Sequence, residues 1–224
     1  MKNTKEKVIE WVKRSIVYLL GLFLIALGIS VAIKSNLGVS PASSLPFVLS
    51  QKFTRFTLGT WTTIIYCLLV LIQLVLLRKD FKWYFVFQFA VSTVFGFFVD
   101  GAAWLAQLFV PNVSYYALRV LYALISMVLI AFGVTMYLTG NIMSMPAEGV
   151  ALALHKKTKL QVSTSKMITD MTITCCAIVC SFLFFGKLHG VREGTVLLAF
   201  GIGFIMKPIS KYFRQPLKKW IYKG

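Results

Sequence analysis

Long apolar runs divide most of the chain, and they constrain its fold more than any other feature of the sequence. A helix needs about 20 mostly apolar residues to cross the hydrocarbon core of a bilayer. Six runs meet this requirement, and they cover residues 15–33, 56–77, 83–109, 120–138, 167–186 and 189–209. We therefore predict an all-α fold, a polytopic transmembrane helix bundle with six spans.

Composition and charge agree with a membrane protein. Of all residues 58% are hydrophobic and only 14% are charged, whereas soluble domains carry about 25% charged residues. The net charge is +17, but the basic residues flank the apolar runs, so we exclude nucleic acid as a partner. Because cytoplasmic flanks of spans are rich in Lys and Arg, we expect a multi-pass protein of the cell (cytoplasmic) membrane with both termini inside.

Two stretches interrupt the apolar pattern in the same way. Residues 41–51 and 146–155 each follow an apolar run, begin with proline and are long enough for only about half a bilayer. Proline suits the first turn of a helix, where its missing N–H would have no partner. We predict two short half-helices that begin at Pro41 and Pro146. The alternative is that both cross the membrane fully, which gives eight spans.

The two interruptions belong to an internal repeat. A shift of 105 residues places "LIALGISVAIKSNLGVSPASSLPFVLSQK" over "LIAFGVTMYLTGNIMSMPAEGVALALHKK" without gaps. Three spans in each half would turn the second copy upside down, and inverted repeats with broken helices are typical of secondary transporters. The predicted divisions are a cytoplasmic amphipathic segment (1–14), a first membrane repeat (15–110), a second membrane repeat (116–210) and a basic cytoplasmic tail (211–224).

Three motifs resemble a known family. They are "GLFLIALGISVAIKSNLGVSPASSL", the pair Gly59-Thr60, and "VREGTVLLAFGIGFIMKPI". Together they resemble the YczE/YyaS/YitT-type bacterial membrane proteins, and the similarity runs from about Tyr18 to Ile209. The resemblance implies a multi-pass membrane protein of this fold, for which transport has been inferred.

The starts of the two short helices are the first candidates for a binding site. A helix start carries unpaired N–H groups and a partial positive charge, which suit a polar or anionic solute. In an inverted repeat, both starts are expected to face one central cavity. The alternative is structural, because serines before a helix can cap it and an acid in the first turn is favoured by the helix dipole. The candidate substrate-binding residues are Asn36, Ser40, Ser43, Ser44, Asn141, Ser144 and Glu148.

Ionisable residues inside apolar segments are the second group of candidates. Such groups are costly in a bilayer and mark ion or substrate pathways, so we consider Asp100, Lys166 and Asp170 as coupling residues. The alternatives are an ion pair between Lys166 and Asp170, four residues apart on a helix, and a pairing of Asp100 with an arginine. The sequence contains no catalytic or metal-binding motif, so we expect no enzyme, no metal and no cofactor.

Two functions fit this pattern. The first is a secondary transporter of a small solute, with its site where the two half-helices meet. The alternative is a non-transporting accessory or regulatory membrane protein that acts through a partner. A transporter predicts a water-accessible cavity between the short helices, whereas an accessory protein predicts apolar side chains there. The expected partners are the lipid bilayer, a small-molecule substrate and further copies of the chain.

Overall fold

The computed structural model describes residues 4–80 and 83–222, and within these residues the secondary structure is entirely helical. Two short 3₁₀ turns, Arg78–Asp80 and Trp83–Val86, lie between the third and fourth helices. The eight α-helices of the described residues are α1 (Thr4–Ser35), α2 (Pro41–Lys52), α3 (Leu58–Leu77), α4 (Phe87–Phe109), α5 (Tyr116–Gly140), α6 (Pro146–Thr158), α7 (Val162–Phe185) and α8 (Glu193–Tyr222).

Six helical segments are long and apolar enough to cross a membrane, and they match the six predicted spans. The other two helices, α2 and α6, contain 12 and 13 residues. Each begins at its proline, Pro41 or Pro146, as predicted. The structure therefore confirms an all-α bundle with six candidate spans and two short helices.

The terminal helices are continuous, and the predicted divisions of the chain stay a prediction. Helix α1 begins at Thr4, so the segment expected at 1–14 continues into the first span without a break. Helix α8 continues through Pro208 and Pro216 to Tyr222, so the expected tail at 211–224 is also part of a span helix. Contact with α1 holds this extension, because Lys13 Nζ donates to the Trp220 carbonyl at 3.1 Å. Residues 1–3 and 223–224 lie outside the described residues.

The most extensive helix contact joins α1 to α5. A Cβ added to Gly133 would lie 2.6 Å from the Gly21 carbonyl oxygen, and one added to Gly140 would lie 3.0 Å from the Arg14 carbonyl oxygen. Residue numbers therefore rise along α1 as they fall along α5, and the two helices are antiparallel. Glycines at such a contact let helix backbones approach closely, which stabilises packing between membrane helices.

The same contact is reciprocal under the 105-residue shift. A Cβ on Gly28 would meet Ile130 Cγ1 at 2.5 Å, and a Cβ on Gly133 would meet Ile25 Cγ1 at 2.8 Å. The shift of 105 residues aligns Gly28 with Gly133 and Ile25 with Ile130. Each contact is therefore the counterpart of the other in the opposite half of the chain.

Most other helix contacts also occur in matching pairs. The contact of α1 with α4 corresponds to that of α5 with α8. In the same way, the contact of α2 with α7 corresponds to that of α6 with α3, and the contact of α2 with α3 corresponds to that of α6 with α7. The largest departure from the pattern is that α3 packs closely on α4 whereas α7 and α8 make no comparable contact. The small contacts of α8 with α1 and α2 also lack a counterpart of similar size, so the halves are alike in their other large contacts only.

The centre of the bundle is apolar. Its largest cluster of buried side chains includes Ile25, Tyr66, Phe95, Ile130 and Leu198. Side chains of both short helices pack against this cluster, namely Ala42, Leu45 and Leu49 of α2 and Ala147 and Val150 of α6. The cluster therefore contacts both short helices.

The two ends of the bundle differ in charge. We call the end that contains Arg14 and Gly140 the basic end, because Arg14 Nε donates to the Gly140 carbonyl at 2.9 Å and most flanking Lys and Arg gather there. Lys156 also lies at this end, paired with Asp80 at 3.1 Å. The end that contains Asn36 is the opposite end. The side of the membrane that each end faces stays a prediction, with the basic end cytoplasmic.

The α1–α5 contact generates a stability prediction. Exchange Gly133→Ala places a methyl group against backbone and Ile25, and we expect the free energy of unfolding in a denaturing-detergent titration to fall by about 1–3 kcal/mol. The matched control is Gly101→Ala, since a Cβ there has no neighbour within 4 Å. The control is expected to gain up to about 1 kcal/mol from helix propensity. Equal losses in both variants would show that the contact is looser than described.

Candidate functional site

Helix α6 begins beside the interior of α3 and returns to the basic end. Gly149, in its first turn, lies against the side chain of Gln73 on α3. About two turns further on, Lys156 pairs with Asp80, just beyond the end of α3. The chain thus leaves α5 at the basic end, enters the bundle and comes back out along α6. Such a re-entrant backbone is tolerated in a bilayer only when protein or a watery cavity surrounds it.

Helix α2 has the same course at the opposite end. Val48 packs on Ala177, in the interior of α7, and the Phe53 ring lies 5.5 Å from the Phe184 ring, near the end of α7. Helix α2 therefore also runs outward from the interior of the bundle. The two short helices return to different ends.

A chain of polar side chains lies at the start of α6. Gln73 Nε2 donates to Gln88 Oε1 at 2.8 Å, and Gln88 Nε2 donates to Ser144 Oγ at 3.3 Å. Both glutamines are fully buried. Since an unpaired amide is costly in an apolar interior, this chain fixes α3, α4 and the segment before α6 relative to one another.

Three predicted ionisable residues also meet at the start of α6. Lys166 Nζ and Asp170 Oδ1 are 2.6 Å apart, which confirms the expected pair on α7. Glu148 of α6 is close enough to interact electrostatically with both of them. We call the residues around the start of α6 the polar cluster, and they are Gln73, Gln88, Ser144, Glu148, Lys166 and Asp170.

Several buried polar atoms near this cluster have no hydrogen-bond partner among the described residues. They are Gln73 Oε1, the Tyr18 and Tyr137 hydroxyls and Ser165 Oγ. Tyr18 and Tyr137 meet edge to face, with ring centroids 6.0 Å apart, and Tyr18 also interacts electrostatically with Glu148. Buried polar atoms are nearly always hydrogen-bonded in proteins, to protein or to water. These atoms are therefore available to a polar solute.

The serines at the start of α2 form only local bonds. The Ser40 and Ser43 hydroxyls share a hydrogen bond of 2.7 Å, and Ser44 Oγ donates to the Pro41 carbonyl at 2.7 Å. All three serines are buried. Capping was the structural alternative for Ser40 and Ser144, and it is wrong, because neither short helix has a side-chain cap bond at its start.

Asn36 and Asn141 lie at opposite ends of the bundle, and the expectation of one central cavity at the two helix starts stays a prediction. Asn36 follows Ser35, the last residue of α1. Asn141 lies beside Arg14, which precedes Ser35 by 21 residues in α1. At 1.5 Å per residue these positions are roughly 30 Å apart. These two asparagines therefore do not share one site, while side chains of both short helices pack in the same apolar cluster.

Asn36 and Asn141 have the same structural role at equivalent positions of the repeat. Both end a long helix with a left-handed backbone, at φ +54° and +48°, a conformation that Asn tolerates better than most residues. The Asn36 carbonyl accepts from Arg192 Nη1 at 3.1 Å, and the Asn141 carbonyl accepts from Arg14. Their recurrence therefore follows from the geometry of helix ends. A role in binding a solute stays a prediction for both.

Asp100 lies apart from the polar cluster, at the start of α3. Its Oδ1 accepts the Gly59 N–H at 2.7 Å, and its Oδ2 accepts the Thr57 hydroxyl at 2.6 Å. A carboxylate at a helix start is favoured by the unpaired N–H groups and the dipole. Its partners are thus groups of α3 and not the arginine suggested as an alternative. The coupling role of Asp100 stays a prediction.

Sequence reasoning missed Gln73, Gln88, Tyr18 and Tyr66. Tyr66 is buried and interacts electrostatically with Glu148 and Asp170. A signal was present for the two glutamines, because each is an amide inside an apolar run, in "LIQLV" and "FQFAV". Glutamine side chains in spans form hydrogen bonds across helices, so glutamines on neighbouring spans favour a pair.

The fold and its re-entrant helices define the class, a polytopic α-helical membrane protein. Residues 12–211 match the family of unknown function DUF6198, and the chain belongs to that family. It is 26% identical over 204 residues to the "Uncharacterized membrane protein YczE" of Bacillus subtilis (strain 168), covering 91% of this chain and 86% of that protein. It is 28% identical over 166 residues to the "Uncharacterized protein YyaS" of the same organism, covering 72% and 78%. No solved structure matches the chain. The family resemblance expected from the motifs is confirmed.

The contacts of Asp100 lead to a prediction about stability. Exchange Asp100→Ala removes a carboxylate that holds the start of α3, and we expect the free energy of unfolding to fall by about 2 kcal/mol, the scale of a hydrogen bond to a charged group. The control is Asp80→Ala, which breaks only the exposed pair with Lys156 and should cost at most about 1 kcal/mol. The comparison uses the same detergent titration. An Asp100 variant no weaker than the Asp80 variant would contradict the assigned role.

Proposed function

We propose that this protein is a secondary transporter of a small polar solute, built from two inverted repeats, and that the polar cluster binds the solute. The observation that carries the proposal is the re-entrant start of α6, where Glu148 lies close enough to the half-buried Lys166–Asp170 pair to interact with it electrostatically. Ionisable groups in the membrane usually lie on a substrate or ion path.

The packing of α1 on α5 supports the inverted repeat. These helices are equivalent under the 105-residue shift, and they are antiparallel. Gly28 and Gly133 exchange places in the contact, as an approximate two-fold axis through it requires. The helix pairs that match between the halves agree with the same axis. Inverted repeats of this kind allow one half to rock against the other around a fixed site.

The chemistry of the polar cluster favours a solute with a positively charged group. Lys166 and Asp170 largely satisfy each other, at 2.6 Å. Glu148 forms none of the ion pairs of the described residues, so its carboxylate can hold a cationic group or a coupling ion. The amides of Gln73 and Gln88 add hydrogen bonds that orient a small polar molecule.

The two halves differ at this site. Subtracting 105 from 148, 166 and 170 gives Ser43, Trp61 and Ile65, so the ionisable groups occur only near the basic end. At the opposite end, Val39 N donates to the Gly190 carbonyl at 3.2 Å and Gly194 N to the Leu37 carbonyl at 2.8 Å. These bonds tie the segment before α2 to the start of α8. The arrangement suits a state that is closed at the opposite end, with its site nearer the basic end.

A second candidate function is a non-transporting accessory or regulatory protein. The observation that favours it is the apolar cluster in which side chains of both α2 and α6 pack. In that case the polar cluster would serve folding, and the outer surface would contact a partner. The two functions differ in whether water reaches the polar cluster.

Water access to Ser144 separates these functions without knowledge of the solute. In a background without Cys67, Cys175, Cys176 and Cys180, we expect the Ser144→Cys thiol to react with a water-soluble maleimide added at the basic end. The matched control is Ser44→Cys, which is fully buried and should stay unlabelled. A Ser144→Cys thiol that stays unreactive from both sides would favour the accessory function.

Solute uptake tests the role of Glu148. A thermal-shift screen on purified protein identifies a bound solute, since binding to the folded state raises apparent stability. In reconstituted vesicles we expect Glu148→Gln to lower uptake of that solute at least about tenfold, because the variant loses the charge that holds it. The control is Glu6→Gln, an exposed position in the first turn of α1. Undiminished uptake by the Glu148 variant would remove this residue from the site.

A further inference from the structure

A cavity of about 430 Å³ opens at the basic end, between the end of α5 and the last turns of α8. Two of its lining residues, Arg214 and Lys218, are four residues apart on α8, so their side chains share one face of that helix. The complete lining is Leu138, Thr139, Asn141, Arg214, Lys218 and Tyr222.

The two cations in this cavity have no carboxylate partner among the described ion pairs. From residue 207 to residue 222, α8 contains no Asp or Glu. The carbonyls at the end of α5 do not neutralise them either, because Arg14 binds the carbonyls of Gly140 and Asn141. Arg214 and Lys218 therefore keep their positive charge for an anion from outside the chain.

The surroundings of the cavity indicate the level of lipid headgroups. Exposed aromatic side chains lie on the same part of the two terminal helices, namely Trp11, Tyr212 and Trp220, and such residues are enriched at membrane–water interfaces. Leu138, in the cavity wall, is 41% exposed and offers an apolar surface to an acyl chain. An apolar surface contributes nothing to the binding of a small soluble anion.

We propose that this cavity binds the headgroup phosphate of an anionic phospholipid, held by Arg214 and Lys218. A guanidinium suits phosphate because it can donate two parallel hydrogen bonds, and basic pockets between membrane helices are known headgroup sites. Asn141 lies in the cavity wall and begins the segment that leads to α6. A bound lipid would therefore stabilise the junction between α5 and the re-entrant segment. This inference does not depend on transport.

The test compares lipids and variants in nanodiscs. Purified protein is placed in phosphatidylcholine alone or with phosphatidylglycerol, its melting temperature is measured, and retained lipid is counted by native mass spectrometry. We expect phosphatidylglycerol to raise the melting temperature and one such lipid to stay bound. In R214Q/K218Q we expect its affinity to fall roughly tenfold below that of K211Q/K219Q, a control with the same charge loss on the same helix.

Three outcomes would overturn the proposal. The first is that phosphatidylglycerol has no effect on the native chain. The second is that both double variants weaken retention equally, which indicates a diffuse basic surface. The third is that free inorganic phosphate protects the protein in phosphatidylcholine as well as the lipid does, which indicates a soluble ligand. Folding is checked from the melting temperature in phosphatidylcholine. The single exchange Lys218→Gln replaces the double variant if that variant does not fold, with Lys219→Gln as its control.

Discussion

The close contact between α1 and α5 is the interaction on which the rest of the structure depends. Glycines at 21, 28 and 133 let the two backbones approach where any side chain would collide. In a bilayer, packing of this kind stabilises helix association where the hydrophobic effect cannot. Once the two helices are antiparallel, each guides its own half of the chain to the opposite end. The placement of α2 and α6 at different ends follows from that contact.

Much of the fold could be predicted, because length and apolar pattern are properties of single segments. The six spans and the proline starts of α2 and α6 needed no knowledge of tertiary contacts. The helical extension to Tyr222 could not be predicted in this way, since its contact with Lys13 joins distant parts of the chain. The same holds for the Gln73–Gln88 bond, which no periodicity of one helix reveals.

The repeat was informative about which positions correspond in the two halves. Asn36 and Asn141 match in sequence, and both end a helix with a left-handed backbone and an arginine on the carbonyl. These two asparagines nevertheless lie at opposite ends of the bundle, because α1 and α5 are antiparallel. The position of Glu148 near the Lys166–Asp170 pair, by contrast, depends on one half alone. The proposed site thus breaks the symmetry of the fold that carries it.

The most direct test of the proposed inverted repeat is the sidedness of two equivalent positions. Lys52 ends α2 and Lys157 lies in the last turn of α6, and both are exposed. Each is replaced by cysteine in a cysteine-free chain, and an impermeant maleimide is applied to sealed vesicles of known orientation. The account predicts that the two thiols react from opposite sides of the membrane. Reaction of both from the same side would mean parallel repeats and would contradict it.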